Sequence, residues 1–435
     1  MKAYKFRIYP KKKQIEKINS ILNLSYKLYN AMLQQRIMAY ELRKEFYSSN
    51  TVNYLSQQNE LPELKKYFPE YREIYSLALQ DVARRIDRAF DNFFERVKER
   101  RNGKKIKAGF PRFKSRNSYK SITYPQSGFK IMDNGHLFLS KIGEIRIFRH
   151  REITGTIKQV TVKKDKINNY YAVFVVEENN SRNYSELPDN PVGIDVGLIK
   201  LIATTDNEPV EPPKYSRQSE KTLKKAQRNL SRKQKGSMNR MEARVRVAKI
   251  GIHITNQRND FSQKLSKKLV DNHNFIAYED LNIKNMLKNH KLAKSIADAS
   301  WGILINNTIY KAERAGKYCV KVNPRNTSKA CSVCGNIIED QSLDDREYHC
   351  SKCGLTMDRD DNAAVNVLNA GLKKIFNMFI MGRNHKKSKH NKRRVPTDCG
   401  EFMPVEELAN TLRQASPMEA GSSMRYSRSK IYIVR

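Results

Sequence analysis

Val192-Gly193-Ile194-Asp195-Val196-Gly197 places one carboxylate in the middle of an apolar strand. The continuation, residues 199 to 204, predicts the hairpin partner of that strand. Removing a carboxylate from water is costly unless a cation compensates its charge, so Asp195 indicates a functional role. The alternative interpretation is an ordinary turn residue.

Two other segments place acids at the ends of predicted elements. Phe275-Ile276-Ala277-Tyr278-Glu279 predicts a second apolar strand ending on an acid, and residues 358 to 361 predict an acid-rich helix start. Carboxylates from three elements can converge, and divalent cations would then have to separate them. Two Mg²⁺ ions about 4 Å apart promote phosphodiester hydrolysis. The acids therefore predict Mg²⁺-dependent (or Mn²⁺-dependent) cutting of nucleic acid, the alternatives being a strand-end acid and helix caps.

Four cysteines form two matched pairs. Cys331 and Cys334, and then Cys350 and Cys353, each follow the spacing Cys-x2-Cys-Gly, with fifteen residues between the pairs. This pattern predicts one tetrahedral four-thiolate zinc site, with a redox pair or an iron–sulfur cluster as alternatives. Because four thiolates leave no open position, this zinc is expected to hold a fold and not to catalyse.

The net charge points to a polyanionic partner. The 435 residues include 83 Lys and Arg against 45 Asp and Glu, a formal charge of +38. Such an excess usually indicates binding to DNA or RNA; the alternatives are binding to an acidic membrane surface and a merely soluble basic protein. No run approaches the roughly 20 apolar residues that span a bilayer, and the first residues have no signal-type apolar run. We therefore expect a cytoplasmic protein that does not bind membranes.

Several basic residues are candidates for nucleic-acid contact. A loop at residues 109–116 interleaves phenylalanines with cations, a mixture that suits stacking on bases, although an ordinary barrel loop with a Phe plug is equally consistent with it. A long basic helical region covers residues 216–272, and a solvated face is its alternative interpretation. The candidates are Arg84, Arg85, Arg112, Lys114, Lys224, Lys225, Arg228 and Arg232.

The order of these motifs resembles the TnpB family of insertion-sequence-encoded RNA-guided DNA endonucleases, which are related to type V CRISPR effectors. The resemblance covers about residues 1 to 372 and rests on six motifs. They are Ala3–Pro10, Phe110–Lys114, Gly193–Gly197, Tyr278–Asn282, Thr327–Gly335 and Asp358–Ala364. By position, it implies that the catalytic carboxylates are Asp195, Glu279 and Asp360.

The resemblance also implies an α+β multidomain fold. A wedge β-barrel (residues 1–12 and 103–190) would carry a helical recognition insertion (13–102). An RNase H-like, RuvC-type nuclease domain (191–330 and 355–375) would be interrupted by the zinc ribbon (331–354). A basic, disordered tail would follow at residues 376–435.

The function implied is RNA-guided cleavage of double-stranded DNA by two-metal hydrolysis, with a guide RNA derived from the end of the protein's own element and a monomeric chain favoured. Three alternatives remain. They are a nuclease-inactive RNA-guided repressor, a DNA transposase and a zinc-ribbon transcription factor.

Overall fold

The computed structural model describes residues 1–46, 52–178, 190–338 and 345–388. The chain divides into two compact units, Met1–Asn180 and Ser181–Arg435. None of the helices in the described residues combines the length and the apolar composition that crossing a bilayer requires.

The first unit contains an antiparallel sheet of seven strands in the order β2-β6-β7-β1-β5-β4-β3. The strands are β1 (Lys2–Tyr9), β2 (Ser121–Pro125), β3 (Phe129–Ile131), β4 (Leu137–Leu139), β5 (Gly143–Phe148), β6 (Thr156–Lys164) and β7 (Tyr170–Glu177). The two edge strands, β2 and β3, are joined by only residues 126–128, which brings the ends of the sheet together. The predicted small barrel is therefore confirmed as a nearly closed one.

Helices inserted between β1 and β2 pack on this barrel. They are α1 (Lys12–Phe46), α2 (Tyr54–Asn59), α3 (Leu61–Tyr67), a 3₁₀ turn (Pro69–Glu73) and α4 (Ser76–Arg101). The apolar stripe of α4 buries Leu79, Val82 and Ile86 in the same cluster as Phe6 and Phe174 of the barrel. The predicted boundaries at residues 12 and 102 thus lie within a unit that has one continuous core.

The second unit is built on a four-stranded sheet and a two-stranded ribbon. Its strands are β8 (Pro191–Asp195), β9 (Ala203–Thr204), β10 (Phe275–Glu279), β11 (Tyr318–Val322), β12 (Glu347–His349) and β13 (Thr356–Asp358). Its helices are α5 (Tyr215–Gln218), α6 (Glu220–Ser231), α7 (Met238–Asn272), α8 (Ile283–Met286), α9 (Ala293–Ala299), α10 (Trp301–Arg314) and α11 (Arg359–Ser388). The sheet order is β11-β10-β8-β9, and β12 pairs with β13.

Both faces of the four-stranded sheet are covered. Strands β8, β10 and β11 are parallel, and β9 is the antiparallel hairpin partner predicted for β8, although it is only two residues long. On one face, Ile194 and Tyr278 share a buried cluster with Leu269 of α7 and Trp301 of α10. On the other face, Ala277 packs with Val367 of α11.

Two predicted boundaries differ from the structure. Strand β13 ends at Asp358, so the ribbon continues past the predicted limit at residue 354 and runs directly into α11. Helix α11 itself continues to Ser388, past the predicted limit at residue 375, because no proline interrupts the helical sequence. The rest of the predicted tail, residues 389–435, lies outside the described residues.

Candidate functional site

Strand register brings the first two predicted acids together. Ala277 of β10 lies beside Gly193 of β8, and Tyr278 lies beside Ile194. Continuing this register places Glu279 level with Asp195. Neighbouring strands are about 4.8 Å apart and alternate residues share a face, so both carboxylates extend from the face that α11 covers.

A glycine allows the third acid to approach. A Cβ atom on Gly193 would lie 2.1 Å from the carbonyl oxygen of Ala364 and 2.7 Å from Leu368, so α11 could not sit where it does over a larger residue. Asp195 is two residues beyond Gly193, and Asp360 is one helical turn before Ala364. The close contact between β8 and α11 therefore places Asp360 near Asp195.

The electrostatics of Asp195 reflect this convergence. Its pKa is raised from 3.8 to about 7, first by burial and then by the charges of Glu279 and Asp360. The backbone N–H of Val196 and the charge of Arg359 act in the opposite direction. Burial also raises the pKa of Glu279, against the effect of a hydrogen bond from Thr327. The charges of Glu279 and Asp360 thus both act on Asp195, which places the three acids within electrostatic reach of one another.

The other acids of the 358–361 cluster have different partners. Asp358 Oδ1 accepts the backbone N–H groups of Asp360 and Asp361, at 2.9 and 3.3 Å, and so caps α11. Its Oδ2 lies 2.9 Å from Lys200 Nζ, which is also 3.7 Å from Asp361 Oδ1. Within this cluster, Asp360 is the acid whose charge raises the pKa of Asp195, which favours it as the third member of the site.

The four cysteines form one cluster, as predicted. Their Sγ atoms all lie within 4.8 Å of one another, with Cys331 to Cys353 at 3.6 Å and Cys334 to Cys350 at 3.5 Å. A tetrahedral zinc with bonds of about 2.3 Å would separate its sulfurs by roughly 3.8 Å, whereas a disulfide would join them at about 2 Å. Within the described residues no other group of three or more Cys, His, Asp or Glu is as tight, and the three carboxylates are less closely gathered.

Each cysteine pair sits in a matching backbone turn. The N–H of Gly335 donates to the carbonyl of Cys331, and that of Gly354 to the carbonyl of Cys350, both at 2.9 Å. Both glycines have positive φ, 75° and 72°, a conformation that other residues rarely adopt. This explains why each Cys-x2-Cys motif is followed by glycine.

Comparison with known proteins identifies the family. Family models match residues 172–290 (OrfB_IS605, “Probable transposase”), 301–367 (“Cas12f1-like, TNB domain”) and 1–45 (“Helix-turn-helix domain”). A Streptomyces pristinaespiralis protein named “Putative RNA-guided DNA endonuclease” is 34% identical over 380 residues, which cover 85% of this chain and 89% of that protein. The chain belongs to the TnpB family.

Two further similarities of this TnpB chain are to a curated protein and to a solved structure. The Escherichia coli protein “Putative RNA-guided DNA endonuclease InsQ” is 30% identical over 311 residues, 68% of this chain and 74% of that one. A solved Cas12f1–sgRNA–target DNA complex is 16% identical, with a TM-score of 0.33, over 85% of this chain and 98% of that chain. In the segment matched as helix-turn-helix, the structure has one strand and one unbroken helix, β1 and α1.

Two of the residues predicted to contact nucleic acid, Arg84 and Arg85, have hydrogen-bond partners within the first unit of this TnpB chain. Arg84 donates to the hydroxyl of Tyr54 at 3.0 Å. Arg85 pairs with Asp81 at 2.6 Å and donates to Thr123 at 2.8 Å, which joins α4 to β2. Both arginines thus have partners within their own unit, and their contact with nucleic acid stays a prediction.

The loop at residues 109–116 contains the Phe plug of one interpretation, and its contact with nucleic acid, the other interpretation, stays a prediction. The Phe110 ring packs edge-on against two phenylalanines of α4, at 5.5 Å from Phe90 and 5.3 Å from Phe93, as a plug would. Arg112 and Phe113 are exposed. The backbone of Lys114 is hydrogen-bonded in both directions to Asn30, at 2.8 and 2.9 Å, which fixes the loop against α1.

The basic candidates on α6 and just after it lie at the surface. Lys225, Arg228 and Arg232 are exposed, and Lys224 is 62% exposed although it pairs with Glu220 at 2.8 Å. Their contact with nucleic acid remains a prediction.

Sequence reasoning missed four polar residues around the acids. They are Lys200, Thr327, Asn362 and Asn366, and each hydrogen-bonds an acid or the segment that leads to the first cysteine pair. Thr327 and Asn362 lie inside two of the motifs that carry the family resemblance. Their position, a polar residue close to cysteines or acids, was the one sequence feature that could have indicated their role.

Proposed function

We propose that this chain is an RNA-guided DNA endonuclease encoded by a transposable element, and that it cuts target DNA at Asp195, Glu279 and Asp360. The observation that carries the proposal is geometric: the register of β8 and β10 and the close approach of α11 to Gly193 bring the three acids together. The charges of Glu279 and Asp360 accordingly raise the pKa of Asp195. Groups that oppose one another's ionisation are typical of sites that bind a cation. The names of its relatives in the TnpB family supply the class of reaction.

The donor set fits Mg²⁺ or Mn²⁺. Oxygen ligands from three separate elements suit a hard divalent cation, which would offset the repulsion among the carboxylates. When bound, such ions activate a water molecule and stabilise the leaving oxygen of a phosphodiester. Asp195 and Glu279 would hold the metal from the sheet, and Asp360 from the first turn of α11. Lys200, paired with Asp358 and near Asp361, would remain beside the site as a cation for the DNA backbone.

The remaining parts supply binding and support. The four-cysteine cluster would hold one structural Zn²⁺. The net charge of +38 suits a chain that covers a guide RNA and its DNA target, and the exposed cations on and after α6 and in the 109–116 loop would contact phosphates. We propose that the protein acts in the cytoplasm, as a monomer, with an RNA from the end of its own element.

The test is a cleavage assay with the RNA that co-purifies with the protein. Sequencing that RNA is expected to give one discrete species whose variable end defines the target. A plasmid library carrying this target next to randomised bases should then be linearised in Mg²⁺ by the wild type and not by Asp195→Ala, which should still bind. Random co-purifying RNA, or no guided cutting, would refute the proposal. Binding without cutting by the wild type would indicate a repressor, and joined DNA ends a transposase.

A further inference from the structure

Glu279 is hydrogen-bonded to Thr327, a residue outside the three acids of the proposed cutting site. The hydroxyl of Thr327 donates a hydrogen bond to Glu279 Oε1 and also lies 3.0 Å from the carbonyl of Pro324. A hydroxyl has one hydrogen, and the charged carboxylate is the stronger acceptor of the two. Both side chains are largely buried, at 7% and 8% exposure, so water cannot easily replace this bond. The contact leaves Oε2 of Glu279 as the oxygen free of Thr327.

Two asparagines of α11 hold the segment that carries Thr327. Asn366 Nδ2 donates to the carbonyls of Thr327 and Ala330, at 2.8 and 2.7 Å. One turn earlier, Asn362 donates to Ala330 at 2.8 Å and accepts the N–H of Ser332 at 3.0 Å. Asn362 is fully buried. Removing Asn366 would take its amide donor from the carbonyl of Thr327, and removing Asn362 would take the acceptor from the buried N–H of Ser332.

These bonds connect three parts of the second unit. Asn362 is hydrogen-bonded to Ala330 and Ser332, the residues on either side of Cys331, so the first cysteine of the cluster is fixed to α11. The same helix carries Asp360 at its start. One helix therefore positions an acid directly and, through its asparagines, the threonine that orients Glu279 and the cysteine that begins the ribbon.

We propose that Thr327, fixed by Asn362 and Asn366, is a positioning residue that orients Glu279 for metal binding and couples the four-cysteine cluster to the acidic site. The inference rests on the proposed function, since it assigns Glu279 to a metal. In this arrangement the ribbon helps to hold the cutting site. The segment around Cys331 fixes the position of Thr327, and Thr327 fixes the carboxylate of Glu279.

The test uses the full-length, zinc-loaded chain in two states. Freed of nucleic acid, it is titrated with Mn²⁺ and followed by electron paramagnetic resonance. With its guide RNA and target, its cleavage rate is measured against Mg²⁺ concentration, which separates metal affinity from the rate at saturation. The variants are Thr327→Val, which keeps nearly the same shape, Thr327→Ser, which restores the hydroxyl, and Asn366→Ala. The controls are Thr308→Val, a buried threonine bonded to Leu304 and Tyr278, and Asn307→Ala on α10.

Loss of a partner that orients a metal ligand typically costs about 10- to 100-fold in metal affinity. We expect a loss of that order for Thr327→Val and Asn366→Ala, with zinc content unchanged, recovery in Thr327→Ser, and wild-type affinity in both controls. Wild-type Mn²⁺ affinity in folded Thr327→Val would overturn the inference and leave the proposed function standing. A wild type that cuts no guided target refutes the proposed function, whatever the variants bind. If Thr327→Val does not fold, Asn366→Ala decides in the same way.

Discussion

Replacing Asp195 by asparagine should stabilise the protein in the absence of divalent cations while abolishing cutting. The pKa of Asp195 is about 7 in the fold and 3.8 as the ordinary value. The folded state therefore holds a proton that the unfolded chain releases. Stability is unaffected by this group below about pH 4, falls as pH rises towards 7, and stays reduced above it. An asparagine side chain cannot ionise, so the variant escapes this loss.

The size of the effect follows from the same two pKa values. Each pKa unit is worth about 1.4 kcal/mol, so ionising Asp195 costs the fold at most about 4 kcal/mol. Asp195 is partly exposed, and solvent screening at such a position reduces the cost, so we expect about 2 kcal/mol. For a unit of this size, that corresponds to roughly 4–8 °C in melting temperature.

The assay is thermal unfolding of wild type and Asp195→Asn at pH 5 and pH 8.5, with and without Mg²⁺. Without Mg²⁺, the variant should melt higher than the wild type at pH 8.5, and the gap should narrow at pH 5. Mg²⁺ should raise the melting temperature of the wild type alone. Asp298→Asn is the matched control of opposite sign, because this buried acid is paired with Arg258 at 2.7 Å and its loss should destabilise. A wild type as stable as the variant at pH 8.5 without Mg²⁺ would refute the reasoning.

Three further predictions concern the fold and the charge. Gly193→Ala should lower the free energy of unfolding by roughly 1–3 kcal/mol and lower cutting, because the new Cβ would clash with Ala364 and displace α11. Unfolding and cleavage assays check this, with Gly251→Ala as the control because a Cβ there meets nothing within 4 Å. Cys350→Ser should lose zinc by elemental analysis, whereas Cys319→Ser, outside the cluster, should keep it. The logarithm of the affinity for guide RNA should fall linearly with the logarithm of salt concentration in filter binding, and a flat dependence would contradict phosphate recognition.

The sequence contained enough to predict the elements that carry the acids. The sequence placed Asp195 in the middle of an apolar run and Glu279 at the end of one, whereas in the structure both acids end their strands, β8 and β10. The period of two residues decides which face each acid occupies. What it could not supply was the register that places β10 beside β8, since pairing of distant strands depends on the packing of the whole unit. The short hairpin partner β9 was predicted at the right place, and its length was set by bonds of Leu201 to Gly197 and Val210 that no local pattern reveals.

Side-chain roles were harder to predict than backbone elements. Arg85 stands on the cationic face of a helix and suggested nucleic-acid contact, yet its guanidinium is bonded to Asp81 and Thr123 of its own unit. Thr327 and Asn366 looked ordinary in sequence because their partners lie 48 and 39 residues away. Long-range polar contacts of this kind leave no periodic signal.

The central claim, that Asp195, Glu279 and Asp360 share divalent cations, is tested most directly by anomalous diffraction from crystals soaked in Mn²⁺. The prediction is manganese bound by oxygens of all three side chains, and its disappearance in Asp195→Asn. Manganese held instead by Asp358 and Asp361 at the Lys200 side, or none at the three acids, would contradict the claim.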